Sequence, residues 1–301
     1  MVKYCINKYP IGSFPKQKTE GRYMDGYLHE NIKPLAKAIV NDMTFLGVLS
    51  SSTLEVGTGK SVIAQQIGEA YTELVNEIHK DKLEKPLEFG MQNIVFCPED
   101  LIDRSFKLPK YSCIILDEWE DLHYWSELGT TLRQFFRKCR QLNLFMIVII
   151  PNFFQLNMNY AIGRSIFFID VRFGDGFERG FFKFYNFERK RDLYLQGKKE
   201  HNYNVVGANF EGRFPDGYAV PRELYLQQKH EDLARYEKLE TALRGKKKDG
   251  DEMVVKIIDK YQLNKNEVSE LIGKDLSTIN RWFSSFRKAK GSVSMRDAEH
   301  E

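Results

Sequence analysis

The chain lacks any apolar run long enough to cross a bilayer; the longest, Leu144 to Pro151, has the length of a strand. A membrane role would therefore depend on a partner. Met1 to Phe14 is too polar for a signal peptide, because Lys3, Asn7 and Lys8 interrupt it. Cysteine is sparse: Cys5, Cys97, Cys113 and Cys139 lie far apart, with no CxxC pair and no metal-ligand spacing. Cys97 and Cys113 fall in apolar, strand-like runs and read as buried thiols, so a reducing, cytoplasmic compartment is expected. An excess of one charge is also missing. Lys and Arg number 45 against 42 Asp and Glu, a net +3 that argues against a highly basic coat protein but leaves room for local patches. There is no internal repeat and no low-complexity tract.

What is present suits a packed protein. With 301 residues, 42% hydrophobic and 13% aromatic, the chain can hold one large core and a small satellite domain. After an irregular arm (1–26), a helix is predicted from about Glu30 to Asn41. Apolar strand candidates then alternate with helical stretches. The strands are Phe45–Leu49, Ile94–Cys97, Cys113–Leu116, Phe145–Ile150 and Ile166–Val171; the helices are Ser61–Lys82 and the region around Trp125–Gln141. This alternation predicts an α/β fold, with a mainly parallel sheet covered by helices on both faces. Beyond Val171, the Gly174-Asp175-Gly176 turn and Phe181–Tyr185 predict an antiparallel hairpin, with a second strand at Asp192–Leu195. Residues 209–220 read as a surface loop and 221–244 as a charged helix. The segment Gly245-Lys246-Lys247-Lys248-Asp249-Gly250-Asp251 reads as a linker. The expected division is an arm (1–26), a main domain (27–228), a charged helix and linker (229–251), a small all-α domain (252–290) and a tail (291–301).

Chemistry concentrates in two places of the main domain. The first is Gly57-Thr58-Gly59-Lys60-Ser61-Val62, between a predicted strand and helix. Glycines let backbone N–H groups turn onto phosphates, Lys60 reaches the outer phosphates, and the Ser61 hydroxyl is suited to magnesium. Leu54 stands where the usual pattern has a first glycine. The second is Cys113-Ile114-Ile115-Leu116-Asp117-Glu118, an apolar strand ending in two acids. Asp117 is expected to hold magnesium through its water shell, and Glu118 to polarise the attacking water as general base.

Three further features accompany these. Arg133, Arg137 and Arg140, with Lys138, make a basic helical stripe that is either a contact for nucleic acid or a neighbouring subunit's phosphates, or a solvated face. Asn152, at the tip of the strand expected beside the Asp117 strand, has the chemistry to orient water or sense the γ-phosphate. Arg164 is a candidate trans-acting finger if the protein forms rings, and otherwise a surface arginine.

Residues 265–288 match a helix-turn-helix, with Ser269 at the helix crossing, Gly273 at the turn and Ile279 on the second helix. Val268, Leu271, Leu276, Ile279 and Trp282 supply the apolar faces, with a further helix at Met253–Tyr261, and Ser277 is the expected N-cap. The second helix would expose Thr278, Asn280, Arg281 and Ser284, with Arg287, Lys288 and Lys290 beyond, and no acid occurs from Leu276 to Lys290. That composition suits a major groove with phosphate anchors behind it; a protein-docking module or a helical cap are the alternatives.

The order of lysine loop, intervening strand, Asp-Glu strand and polar-tipped strand resembles the additional-strand class of P-loop ATPases, the RecA-like folds. Within it the chain most resembles the FtsK/HerA and zonular-occludens-toxin-like ATPases of mobile elements. The matching residues are Gly57-Thr58-Gly59-Lys60-Ser61, Ile114-Ile115-Leu116-Asp117-Glu118 and Arg140-Gln141-Leu142-Asn143-Leu144 through Ile150-Pro151-Asn152. Where those families often carry glutamine at the strand tip, this chain has Pro151-Asn152. The resemblance implies Mg-dependent ATP hydrolysis by a homo-oligomer that moves or packages double-stranded DNA or drives virion assembly. The alternative is a nucleotide-switched, DNA-binding regulator or a replication or partition factor. No lid or acceptor pattern supports a metabolic kinase.

Overall fold

The computed structural model describes residues 5–7, 23–52, 57–117, 135, 139–232, 234, 255, 258–259, 264–272 and 274–284. The chain divides into two compact units, 1–233 and 234–301. Among the described residues no helix is long and apolar enough to cross a membrane.

The first unit begins with a short parallel pair, β1 (Cys5–Asn7) and β2 (Tyr23–Asp25). The end of the predicted arm is therefore structured: Tyr23, Met24 and Asp25 are buried. Asp25 also starts α1 (Gly26–Ala38) early, because its Oδ1 accepts from the Leu28 N–H at 3.0 Å. The elements that follow are β3 (Phe45–Ser50), α2 (Lys60–Ile78), β4 (Ile94–Val95), α3 (Pro98–Lys107), β5 (Cys113–Leu116), β6 (Phe145–Ile149) and β7 (Ser165–Arg172). Then come β8 (Phe181–Tyr185), α4 (Phe187–Glu200), β9 (Phe210–Arg213) and α5, residues 222–232.

Seven strands form one sheet in the order β4-β5-β6-β3-β7-β8-β9. The first five are parallel to their neighbours, and β8 and β9 continue the sheet antiparallel. The expected α/β architecture with a mainly parallel sheet is thus observed. The apolar runs that announced β3, β5, β6 and β7 are apolar because both faces are covered. On one face α1 and α2 pack Ile32, Ile63, Ile67 and Tyr71 against Leu49, Ile115, Phe145 and Phe167. On the other, Leu101 of α3 and Leu193 and Tyr194 of α4 meet Val48, Leu116, Met146 and Phe168. Cys97, Cys113 and Cys139 are buried.

Two expectations are corrected. Asp192–Leu195 is part of α4, not a strand. Its buried residues Lys190, Leu193, Tyr194 and Gly197 follow the i, i+3, i+4, i+7 spacing of one helix face, and Asn186 caps it by accepting from the Arg189 N–H at 3.0 Å. Residues 210–213, read as loop, are the edge strand β9. Phe210 stacks on Phe184 with centroids 4.8 Å apart, and Lys183 pairs with Glu211 at 3.0 Å. The 214–220 remainder turns inward rather than wrapping the surface, burying Phe214 and Val220. Of the predicted helix at 125–141, Phe135 is helical and buried and Cys139–Leu142 is a 3-10 turn. The side chains of the basic stripe, Arg133, Arg137, Lys138 and Arg140, lie outside the described residues.

In the second unit, α6 (Lys265–Ile272) and α7 (residues 276–284) are helical. Val255, Ile258, Ile279 and Phe283 form its core, with Val268 and Trp282 packed against it. Two details differ from expectation. The Asp275 carbonyl accepts the Thr278 and Ile279 N–H groups at 2.9 and 3.3 Å, so α7 begins before Ser277, which lies in its first turn and is not the cap. Leu276 is exposed rather than core. Gly273 and the linker 245–251 lie outside the described residues.

Candidate functional site

The site lies at the carboxyl ends of the parallel strands, where β3 leads into the glycine loop. Ser50 donates its hydroxyl to the Pro151 carbonyl at 3.0 Å, tying the ends of β3 and β6 together. Two residues on, the Ser52 N–H donates to Asp170 Oδ1 at 2.7 Å. Residues 53–56, including Leu54, are outside the described part. Gly57 and Gly59 have φ of +90° and +97°, a region that side chains strain to adopt. A Cβ on Gly57 would stand 3.2 Å from the Arg179 guanidinium, and one on Gly59 3.0 Å from the Phe214 ring. The glycines therefore supply both the turn and room for these neighbours. The Gly59 carbonyl takes the Val62 and Ile63 N–H groups at 3.0 and 3.1 Å, and α2 opens at Lys60. The loop and the start of α2 border an open space.

That space is a cavity of about 330 Å³ lined by all six residues of the expected loop, Gly57 to Val62. The tip of β6 (Ile149–Pro151) and Arg179-Gly180, from the β7–β8 hairpin, form other walls. Phe214, Asp216 and Tyr218, together with Arg222, Tyr225, Leu226 and Lys229 of α5, complete it. Lys60, Arg179, Arg222 and Lys229 face a single lining carboxylate, Asp216, so the cavity favours an anion. Thr58 is 1% exposed, and its Oγ1 has no partner, which leaves a buried hydroxyl at the anion position.

Behind the loop, the Ser61 hydroxyl donates to Asp117 Oδ1 at 3.1 Å across 56 residues of sequence. The other oxygen, Oδ2, accepts a short hydrogen bond from the Tyr225 hydroxyl. Burial, and then the Asp117 charge, push the Tyr225 phenol well above its usual range, so it stays a protonated donor. Among the described residues no cluster of three or more His, Cys, Asp and Glu side chains could hold a metal. Ser61 and Asp117 offer the oxygen set that suits magnesium, an ion that takes the rest of its shell from phosphate and water.

The other expected site residues are placed less directly. Glu118 lies outside the described residues. Asn152 follows β6 but does not line the cavity; its Oδ1 accepts from the Phe154 N–H at 2.9 Å and the Tyr203 hydroxyl at 3.0 Å, capping a 3-10 turn. Arg164 precedes β7, whose Ser165 pairs with Leu46 while Asp170 pairs with Ser50. It therefore stands at the opposite end of the strands, roughly 17 Å of strand away from the glycine loop. On α7, Asn280 and Arg281 are exposed and Thr278 is half-buried, while Arg287 and Lys288 lie outside the described residues. Lys265 Nζ lies 3.4 Å from Asn280 Oδ1 and 4.1 Å from the Phe283 ring centre.

Sequence reasoning missed Asp170, Arg179 and Tyr225. Asp170 is 1% exposed, and its carboxyl is pushed up to about 6 by burial, against the Ser52 N–H and hydroxyl and the Arg172 and Lys183 charges. A lone acid inside the apolar run Ile166–Val171 was the available signal. Arg179 had only its place beside a hairpin glycine, and Tyr225 had none.

Comparison of the chain with protein-family models, curated proteins and solved structures finds no match.

Proposed function

We propose that the chain is a Mg-dependent ATPase of RecA-like, additional-strand type that works on double-stranded DNA, in the manner of the FtsK/HerA-like proteins its motifs resemble. The observation that carries this reading is the anion cavity over the Gly57–Val62 loop, with Ser61 and Asp117 hydrogen-bonded at its floor. Support also comes from strand order, since β6 lies between the loop strand β3 and the carboxylate strand β5.

In this mechanism the Gly57–Ser61 backbone and Lys60 bind and orient the phosphates, Arg179 adds charge from the hairpin, and Phe214 closes the side near Gly59. Ser61 and Asp117 hold magnesium, which when bound neutralises charge on the outer phosphates. Glu118 takes a proton from water as the water oxygen bonds to the γ-phosphorus. The bond to the β–γ bridging oxygen breaks, and ADP leaves with that electron pair. The second unit would supply duplex contacts through Thr278, Asn280 and Arg281, with Arg287 and Lys288 as phosphate anchors.

Turnover by the full chain, with and without long duplex DNA, tests this. DNA should raise the rate, and Glu118→Gln should slow hydrolysis roughly 10²–10⁴-fold while ATP still binds. A Glu118→Gln protein that hydrolyses like wild type would remove the assigned base. A second reading, the nucleotide-switched regulator, draws on the Tyr225–Asp117 contact, which suits slow turnover; it predicts weak hydrolysis that DNA does not accelerate.

A further inference from the structure

We propose that Tyr225 is a gate on the metal position, so that nucleotide carrying magnesium binds fully only when α5 withdraws this ring from Asp117. The inference rests on the assignment of Ser61 and Asp117 as the magnesium-holding pair.

Both oxygens of the Asp117 carboxylate are engaged by protein hydroxyls, Oδ1 by Ser61 and Oδ2 by Tyr225. A carboxylate that holds magnesium through the ion's water shell accepts a hydrogen bond from a metal-bound water. The phenol O–H donates to Oδ2 and takes one of that oxygen's acceptor sites, so a metal-bound water directed at the same site must displace it. Magnesium keeps near-octahedral geometry and gives up its waters reluctantly, so ring and hydrated ion compete for one position.

The ring is held there by packing. Tyr225 is 2% exposed, between Phe96 and Tyr218 with centroids at 5.5 and 5.1 Å. Arg222, Leu226 and Lys229 line the cavity from the same helical face. One movement of α5 would therefore clear the metal position and rearrange two cations at the nucleotide.

The test is calorimetric binding of a slowly hydrolysed ATP analogue to the full chain, wild type and Tyr225→Phe, in magnesium and in EDTA. Phenylalanine keeps the packing and removes only the hydroxyl. The variant should bind roughly 10- to 100-fold tighter in magnesium, the worth of one hydrogen bond to a charged group, and no differently in EDTA. Weaker binding in magnesium would mean that Tyr225 holds Asp117 in its metal-binding pose, overturning the gate; so would equal binding, or an equal gain in EDTA. If wild type bound nucleotide in neither condition, the parent ATPase reading would fall as well. Hydrogen exchange on wild type needs no variant: amides of residues 222–232 should exchange faster with analogue and magnesium than with analogue and EDTA, and unchanged exchange contradicts the gate.

Discussion

Asp170 stands alone among the apolar residues of β7, and its position explains how the chain leaves β3 for the glycine loop. Its Oδ1 holds the Ser52 N–H at 2.7 Å, fixing the start of the segment that ends at Gly57. Holding a carboxylate there is costly. Burial raises its native pKa from 3.8 to about 6, so between those values the folded protein binds more protons than the unfolded chain. The contribution is therefore fully present below pH 3.8 and is lost as pH rises through about 6. Asp170→Asn keeps an acceptor for Ser52 and removes the titration. Its stability relative to wild type should rise across that window by up to about 3 kcal/mol, read from urea melts at pH 4 and pH 7. Parallel pH profiles would show that the carboxyl is not perturbed. This residue was legible only as an oddity, whereas Lys60, Ser61 and Asp117 stood out as candidates because they fall in a recognisable loop and strand pattern. Tyr225 was not legible: 108 residues separate it from Asp117, and only the packing of α5 over the sheet edge brings them together.

Elements were readable where one period dominated. The strands β3, β5, β6 and β7 are buried on both faces and read as unbroken apolar runs. α4 was misread because one of its two most buried positions is a lysine, which breaks the apolar stripe. Lys190 is fully buried, and burial lowers its pKa to about 8. It donates to the carbonyls of Ala161 and Ser165 at 2.6 and 2.7 Å and to the Ser165 hydroxyl at 2.9 Å. These atoms close the π-helical turn Asn159–Arg164 ahead of β7. Lys190 thus acts as a polar pin between α4 and the start of a central strand. Lys190→Met keeps the aliphatic stem but strands the acceptors, and should cost about 2–4 kcal/mol in equilibrium urea unfolding. A loss below about 0.5 kcal/mol would mean that the turn finds other donors. β9 was missed for a different reason: a four-residue edge strand, Phe210–Arg213, carries too short a pattern to read, and its partner β8 supplies the order.

For the molecule as a whole, the α/β architecture was readable, because apolar strand runs alternate with helical stretches along the chain. The interior of the site was not, since four separate segments converge on the glycine loop: the β6 tip, the β7–β8 hairpin, the 214–218 turn and α5. What unites them is charge and enclosure around the glycine loop. The central claim is that this cavity takes the phosphates of ATP, and the most direct measurement is equilibrium binding of ATP to the full chain, wild type against Lys60→Ala. The account predicts saturable binding by wild type and a loss of at least roughly 100-fold in the variant, since a charged partner of the phosphates is removed. Equal affinity in the two proteins, with both folded by circular dichroism, would contradict it.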